Sequence, residues 1–531
     1  MDKTDCDVLI VGAGMGGSIV AGKCGDAGLS VIVLEKGAPP APGPRRGRLA
    51  RLFASQDDRG GERWPTETLF RPREGAKAKK VGSVLGIGPG GSGRIYGAAL
   101  GRGERADFER DYQPGQWHET EETALRNDWP VSYDEFLPAY REAEQLLGVV
   151  GTLNPLDPDD DAMLGRPPAV SPAHHRIIEQ LEANGQHPYR MHVGIAYRPG
   201  CSECQGSTCL RDCKAHGFNR ALEPALRRTG KINLEYGLSV TRLEERTEGG
   251  WIVHASDQQG NPRKFSAANV VLAAGALNSP RVLLDSPEIW DGAVPEMLGR
   301  GLMFHASEIF AVSGPGLDDL YGPRKVIALR DHYFEGPAPL AECQSLGMVS
   351  APGMIAHFLA EKLRRSGLNL GPLRRLVLRP VGEIAQRLFS KAELFTANLQ
   401  DLPYPDNRVT TETGEDGTDR IAVTYRKRAE LVARGKIFRK RMKEAFSPLK
   451  VRFLTGVGEP NLGHPMGTCR MGHEPKDSVT DAQGQVWNKP GLYVADASVF
   501  PGSLGLNPGL TVAAHALRVA RSITQLRKTT P

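Results

Sequence analysis

Two groups of residues in the 531-residue chain have the types and spacing to do chemistry. The first is thiols: Cys201-x2-Cys204-x4-Cys209-x3-Cys213 puts four of the eight cysteines into thirteen positions. Such a run can form a disulfide staple, bind zinc through a tetrahedron of thiolates, hold an iron–sulfur cluster, or simply fold a loop around buried thiols. The second is glycines. In Gly12-x-Gly14-x-x-Gly17 the first makes a tight turn, the second lets backbone approach a pyrophosphate, and the third lets a helix pack closely on a strand.

The surrounding elements decide how these groups are read. CDVLIVG is a short apolar strand, GAGMGG a turn, SIVAGKCGDAG a helix closed by glycine, and LSVIVLEKG a second strand. Strand, glycine turn, helix and second strand are in register for a dinucleotide fold, with the helix N-terminus offering N–H groups to phosphates. Glu35 ends the second strand, where a carboxylate can hydrogen-bond ribose hydroxyls and disfavours a 2′-phosphate. That disfavours NADP and does not separate NAD from FAD. Residues 38–48 are loop, 81–105 are glycine-dense, and 132–148 have helical pattern. Residues 232–246 and 251–273 look strand-rich. GLYVADAS is a strand and LTVAAHALRVARSITQL a helix. Residues 306–460 are poorly patterned, and the basic amphipathic stretch 354–389 holds seven Lys/Arg against two Glu. It reads as a solvated helix face of a substrate domain, with a lid, a redox-partner dock or a contact with anionic lipid as rivals.

Bulk properties narrow the field. The length implies several domains. A net charge of +5 does not call for nucleic acid. No run of about 18 apolar residues suggests a membrane span, and MDKTDCD does not begin like a signal peptide. The expectation is a cytoplasmic protein with reduced thiols, which weakens the disulfide reading.

GHPMGTCRMG (463–472) and GLYVADASVFPGSLGLNPGLTVAAHALRVA (491–520), taken with GAGMGG, resemble the glucose–methanol–choline family of FAD-dependent oxidoreductases. VGSVLGIGPGGSGRIYGAAL, WPVSYDEFLPAYREAE, NVVLAAGALNSPRVLL and NRVT (407–410) extend the likeness from residue 5 to residue 520. The resemblance implies an α/β fold: a discontinuous Rossmann-like FAD-binding domain (1–115, 196–305, 461–531) and a smaller substrate domain with an antiparallel sheet (116–195, 306–460). It places Gly12, Gly14, Gly17, Glu35, Gly90, Gly91, Ser92, Val240, Asp496, Ala497 and Pro508 at the cofactor. It makes His464 the general base and Asn507, 43 residues on, the group that orients the substrate oxygen. The chemistry suits these types, because imidazole takes a hydroxyl proton near neutral pH and an uncharged amide can bind the oxygen. His305, His473 and His515 lack such support and read as structural. No histidine lies between Gly82 and Gly103 for a covalent link, so FAD is expected to be non-covalent.

The implied activity is oxidation of an alcohol, sugar or glycoside hydroxyl to a carbonyl, with oxygen, a quinone or a redox protein reoxidising the flavin. The alternative within the family is a lyase that keeps FAD without net redox turnover, and outside it an NAD-dependent dehydrogenase. Cys204, Cys209 and Cys213, with Cys201 as a fourth candidate, are similar to the iron–sulfur ligands of some bacterial sugar-oxidising members. Lys214 departs from the proline usual after the last cysteine there. The alcohol itself is left open among sugars, glycosides, sterols and small alcohols.

Overall fold

A computed structural model describes residues 4–39, 68–81, 85–347, 380, 391–413 and 419–529, apart from 202, 207 and 210. The basic stretch 354–389, apart from residue 380, and residues 40–48 of the Pro/Gly/Arg-rich loop lie outside them.

The first strand, Thr4–Val11, is central to the larger sheet. It pairs in parallel with Val31–Glu35 on one side and with Pro262–Leu272 on the other. Ile232–Tyr236 extends the sheet beyond Val31–Glu35, and Leu492–Val494 pairs in parallel with the end of Pro262–Leu272. An antiparallel ribbon, Ser239–Glu245 and Trp251–Ser256, completes it. All five residues of Val31–Glu35 are buried, which is why that strand reads as a continuous apolar run rather than an alternation.

The helix Met15–Asp26 follows the glycine turn. Its glycines let neighbours approach closely. A Cβ on Gly16 would stand 1.7 Å from the Ala495 carbonyl oxygen, and one on Gly17 would stand 2.0 Å from that of Gly12. The last helix, Gly509–Thr529, packs against it and against the helix Tyr133–Leu147. Ser132 and Glu135 cap the latter reciprocally, as the sequence Ser-x-x-Glu anticipates.

The second sheet has six antiparallel strands in the order Lys450–Phe453, Ala306–Ser313, Ala392–Leu399, Cys343–Ser345, Ile327–Leu329, Tyr189–Arg190. Phe310, Val312, Phe395 and Ala397 point to one face, where Ala173 and Ile177 of Pro172–Ala183 and Phe438 and Met442 of Ala429–Ala445 cover them. The other face is turned to a cavity shared with the larger sheet. Arg408–Thr413, which contains most of NRVT, belongs to a separate four-stranded sheet with Asp419–Thr424, Thr68–Arg71 and Lys79–Val81. No helix among the described residues is long and apolar enough to cross a membrane.

Candidate active site

One cavity of about 630 Å³ runs from the glycine turn to the second sheet. At its first end Gly12 has φ +99°, and a Cβ there would meet the Ala273 carbonyl oxygen at 2.7 Å, so the turn requires glycine. The place a Cβ would take on Gly14 is open, with its nearest atom 3.9 Å away. Gly14 is the N-cap of Met15–Asp26, with no side-chain cap and no acid in the first turn. The first N–H groups of that helix are therefore available to an anion. Gly17 does not line the cavity; it lies underneath, holding helix to turn.

Glu35 lines the cavity, and its carboxylate organises the rim as well. It accepts N–H bonds from Ala13 (2.9 Å), Gly37 (2.7 Å) and Gly88 (3.2 Å), tying three loops together. Gly90, at φ +91°, donates its N–H to the Ala13 carbonyl at 2.6 Å, and Gly91 and Ser92 line the cavity behind it. Val240 contributes an apolar wall. Asp496 accepts from Gly275 N–H (2.8 Å), Ser279 Oγ (2.5 Å) and Ser498 N–H (2.8 Å), fixing the Ala273–Gly275 turn beside Ala497. Pro508 and Gly509 bring the start of the last helix to the cavity, again with no acid in the first turn. Backbone donors without side chains in the way, at two helix starts, fit a large anionic dinucleotide such as FAD.

At the other end stand His464 and Asn507, both lining the cavity. Beneath His464 lies His305, fully buried, with the two rings edge to face at 5.2 Å. His305 Nε2 is 2.9 Å from the carbonyl oxygens of both Ser503 and Leu504. Carbonyls only accept, so Nε2 carries the hydrogen, and Nδ1 of a neutral His305 must be an acceptor. His464 Nδ1, 2.9 Å away, then donates to it. The Asn461 amide, at 3.5 Å from the same nitrogen, is the weaker neighbour. The chain of tautomers leaves His464 Nε2 with a free lone pair. Burial, and next the charge of a protonated His305, push His464 down to about 3; burial holds His305 at about 4. Both are neutral at neutral pH. His305 was read from sequence as structural, and the structure places it directly behind the candidate base. No spacing could have shown this, because the two lie 159 residues apart in sequence.

Asn507 Oδ1 accepts from the Gln344 side-chain amide, which leaves Asn507 Nδ2 for a substrate oxygen. His515 Nε2 donates to the Val494 carbonyl (2.9 Å) under the sheet, and His473 sits at the surface near Asp128.

The four clustered cysteines behave otherwise. All are free thiols, and no three His, Cys, Asp or Glu side chains among the described residues are arranged to hold a metal ion. Cys213 is buried in an apolar cluster with Ala98, Met191, Val193 and Ile195, and Cys201 and Cys209 pack on its edge. Burial raises the Cys209 thiol, but N–H groups of Cys213, Arg211 and Lys214 outweigh it and bring the thiol below its usual value. Burial, then the neighbouring Cys209, raises Cys213 to about 11. The expected ligand set of Cys201, Cys204, Cys209 and Cys213 therefore finds no support in the geometry. Among the described residues Cys201, Cys209 and Cys213 take part in apolar packing, which suits a small and weakly polar thiol.

The model of the GMC oxidoreductase family matches residues 401–516. The chain is 28% identical over 551 residues to 6'''-hydroxyparomomycin C oxidase of Streptomyces lividus, covering 97% of this chain and 91% of the relative. It is 27% identical over 564 residues to 2-methyl-1,2-propanediol dehydrogenase of Mycolicibacterium austroafricanum, covering 99% and 96%. Its fold is that of pyridoxine 4-oxidase from Mesorbium loti, with a TM-score of 0.62 at 20% identity over 97% of this chain and 99% of that one. Residues 401–516 thus carry the GMC oxidoreductase pattern, and the likenesses to these enzymes span nearly the whole chain, with a helix-start cradle at one end of the cavity and a histidine–asparagine pair at the other.

Proposed function

We propose that His464 and Asn507 oxidise a CH–OH group together, as the active pair of an FAD-dependent oxidoreductase acting on an alcohol or sugar hydroxyl. The observation that carries this is the hydrogen-bond chain from the Ser503 and Leu504 carbonyls through His305 to His464, which leaves one imidazole nitrogen as a base facing the cavity. His464 Nε2 accepts the hydroxyl proton, and the imidazolium that results still donates through Nδ1 to a neutral His305. Asn507, its carbonyl held by Gln344, donates to the substrate oxygen and fixes the carbon. When bound, FAD supplies the acceptor for the hydride that leaves this carbon, and the product is an aldehyde or ketone. The residues that would hold it are Gly14 and the start of Met15–Asp26 for the phosphates, Glu35 for the ribose, and Gly91, Ser92, Asp496 and Pro508 along the rest of the cavity.

The absence of histidine between Gly82 and Gly103 supports a non-covalent cofactor, so acid-denatured protein should pellet colourless. The relatives named above are an oxidase and a dehydrogenase, which favours redox turnover over the lyase alternative. Oxygen, a quinone or a redox protein would reoxidise the flavin. Anaerobic mixing with alcohols and sugars tests the reading: a substrate bleaches the flavin band near about 450 nm, whereas a lyase leaves it coloured.

A further inference from the structure

The second sheet turns alternate residues to the cavity, and most of them are polar. Ser307 lies opposite Asn398, and Thr396 lies between Ile309 on one strand and Gln344 on the other. All five line the cavity. Ser307, Gln344, Thr396 and Asn398 give this wall of the cavity four polar side chains, beside the apolar Ile309 and Leu346. Gln344 is only 2% exposed. Its side-chain nitrogen donates to Asn507, and its Oε1 has no partner among the described residues. A buried amide oxygen left unpaired is costly, so such a group implies that something else satisfies it.

We infer that the substrate carries a second hydroxyl on a carbon next to the one oxidised, and that Gln344 binds it. The substrate is then a vicinal diol or a sugar, not a sterol, an aryl alcohol or a simple alkanol. The inference rests on the proposed roles of His464 and Asn507, because Gln344 is joined to Asn507 and its free oxygen therefore lies beside the reacting centre. A hydroxyl fits because it donates to Gln344 Oε1 and still accepts from a neighbour such as the Thr396 hydroxyl. An apolar substrate would leave Gln344 unpaired, and a site built to bind a hydroxyl rejects the analogue without one.

Anaerobic flavin reduction of the holoenzyme tests this with matched pairs: 1,2-propanediol against 1-propanol, and trans-1,2-cyclohexanediol against cyclohexanol. In at least one pair the member with the second hydroxyl should reduce the flavin with about tenfold or greater advantage in rate over dissociation constant. Gln344→Met should shrink that ratio toward one, and Thr396→Val should lower it less, with flavin content per chain reporting that each variant is folded. Equal or better reduction by the deoxy members overturns the inference and leaves the proposed function standing. No bleaching by any alcohol or sugar overturns both.

Discussion

The two ends of the cavity recognise their ligands by different means. The end at Gly12–Gly17 is built from backbone: a turn at φ +99°, an open space at Gly14, and an uncapped helix start. The end at His464 is built from side chains on loops and strands that meet only in the fold: His305, Gln344, Asn398, His464 and Asn507. Backbone recognition demands glycines at fixed short spacing, so it leaves a local pattern. Side-chain recognition is assembled by sheet register and leaves none.

Breaking the backbone end should have the largest effect. Gly17→Val would put branched atoms where a Cβ alone stands 2.0 Å from the Gly12 carbonyl oxygen. Overpacking of this kind costs about 1–3 kcal/mol, more where backbone blocks relaxation. The variant should lose flavin, seen as a collapse of visible absorbance per chain, and should melt lower. Retention of full flavin content would show that the turn does not position the cofactor.

At the side-chain end, His305 sharpens the comparison. His305→Leu should lower the rate of flavin reduction about 10- to 100-fold, because His464 loses the acceptor that fixes its orientation and tautomer. His305→Asn, which keeps an acceptor near that position, should recover part of the loss. The pH profile separates this from a structural effect. A base works only when unprotonated, so the rate is lost as pH falls through its pKa. In the wild type that limb lies well below the ordinary histidine range, because burial and then His305 hold His464 down. Removing His305 removes the second cause, and the limb should move to higher pH. An unmoved limb would leave His305 as core only.

Cys209→Ser should have the smallest effect, since Cys209 packs on the edge of the cluster around Cys213. Stability should shift by about 0.5–1 kcal/mol with flavin reduction retained, and iron and acid-labile sulfide analysis should find neither. Stoichiometric iron would contradict the reading of these thiols as packing.

The same contrast explains what was legible in the sequence. The strands and helices around Gly12–Gly17, the capped helix after Ser132, the strand at Leu492–Val494 and the last helix all follow from local pattern, as does the place of Glu35 beside the glycine turn. His464 and Asn507 came from family likeness, and the cavity brings them together. The six-stranded sheet was read as irregular because Ala392–Leu399 is buried on both faces, one by core and the other by the cavity wall, so polarity alternates only weakly. His305 and Gln344 were invisible because their importance is a contact, not a spacing. The cysteine run is the reverse case: its tight spacing suggests ligands, whereas among the described residues Cys213 packs in an apolar cluster with Cys201 and Cys209 on its edge.

The proton transfer to His464 is tested most directly by anaerobic stopped-flow reduction of His464→Ala beside the wild type, with an alcohol or sugar that bleaches the latter. The variant should bind FAD as the wild type does and be reduced about 10²–10⁴-fold more slowly. Reduction at the wild-type rate would show that the proton leaves by another group.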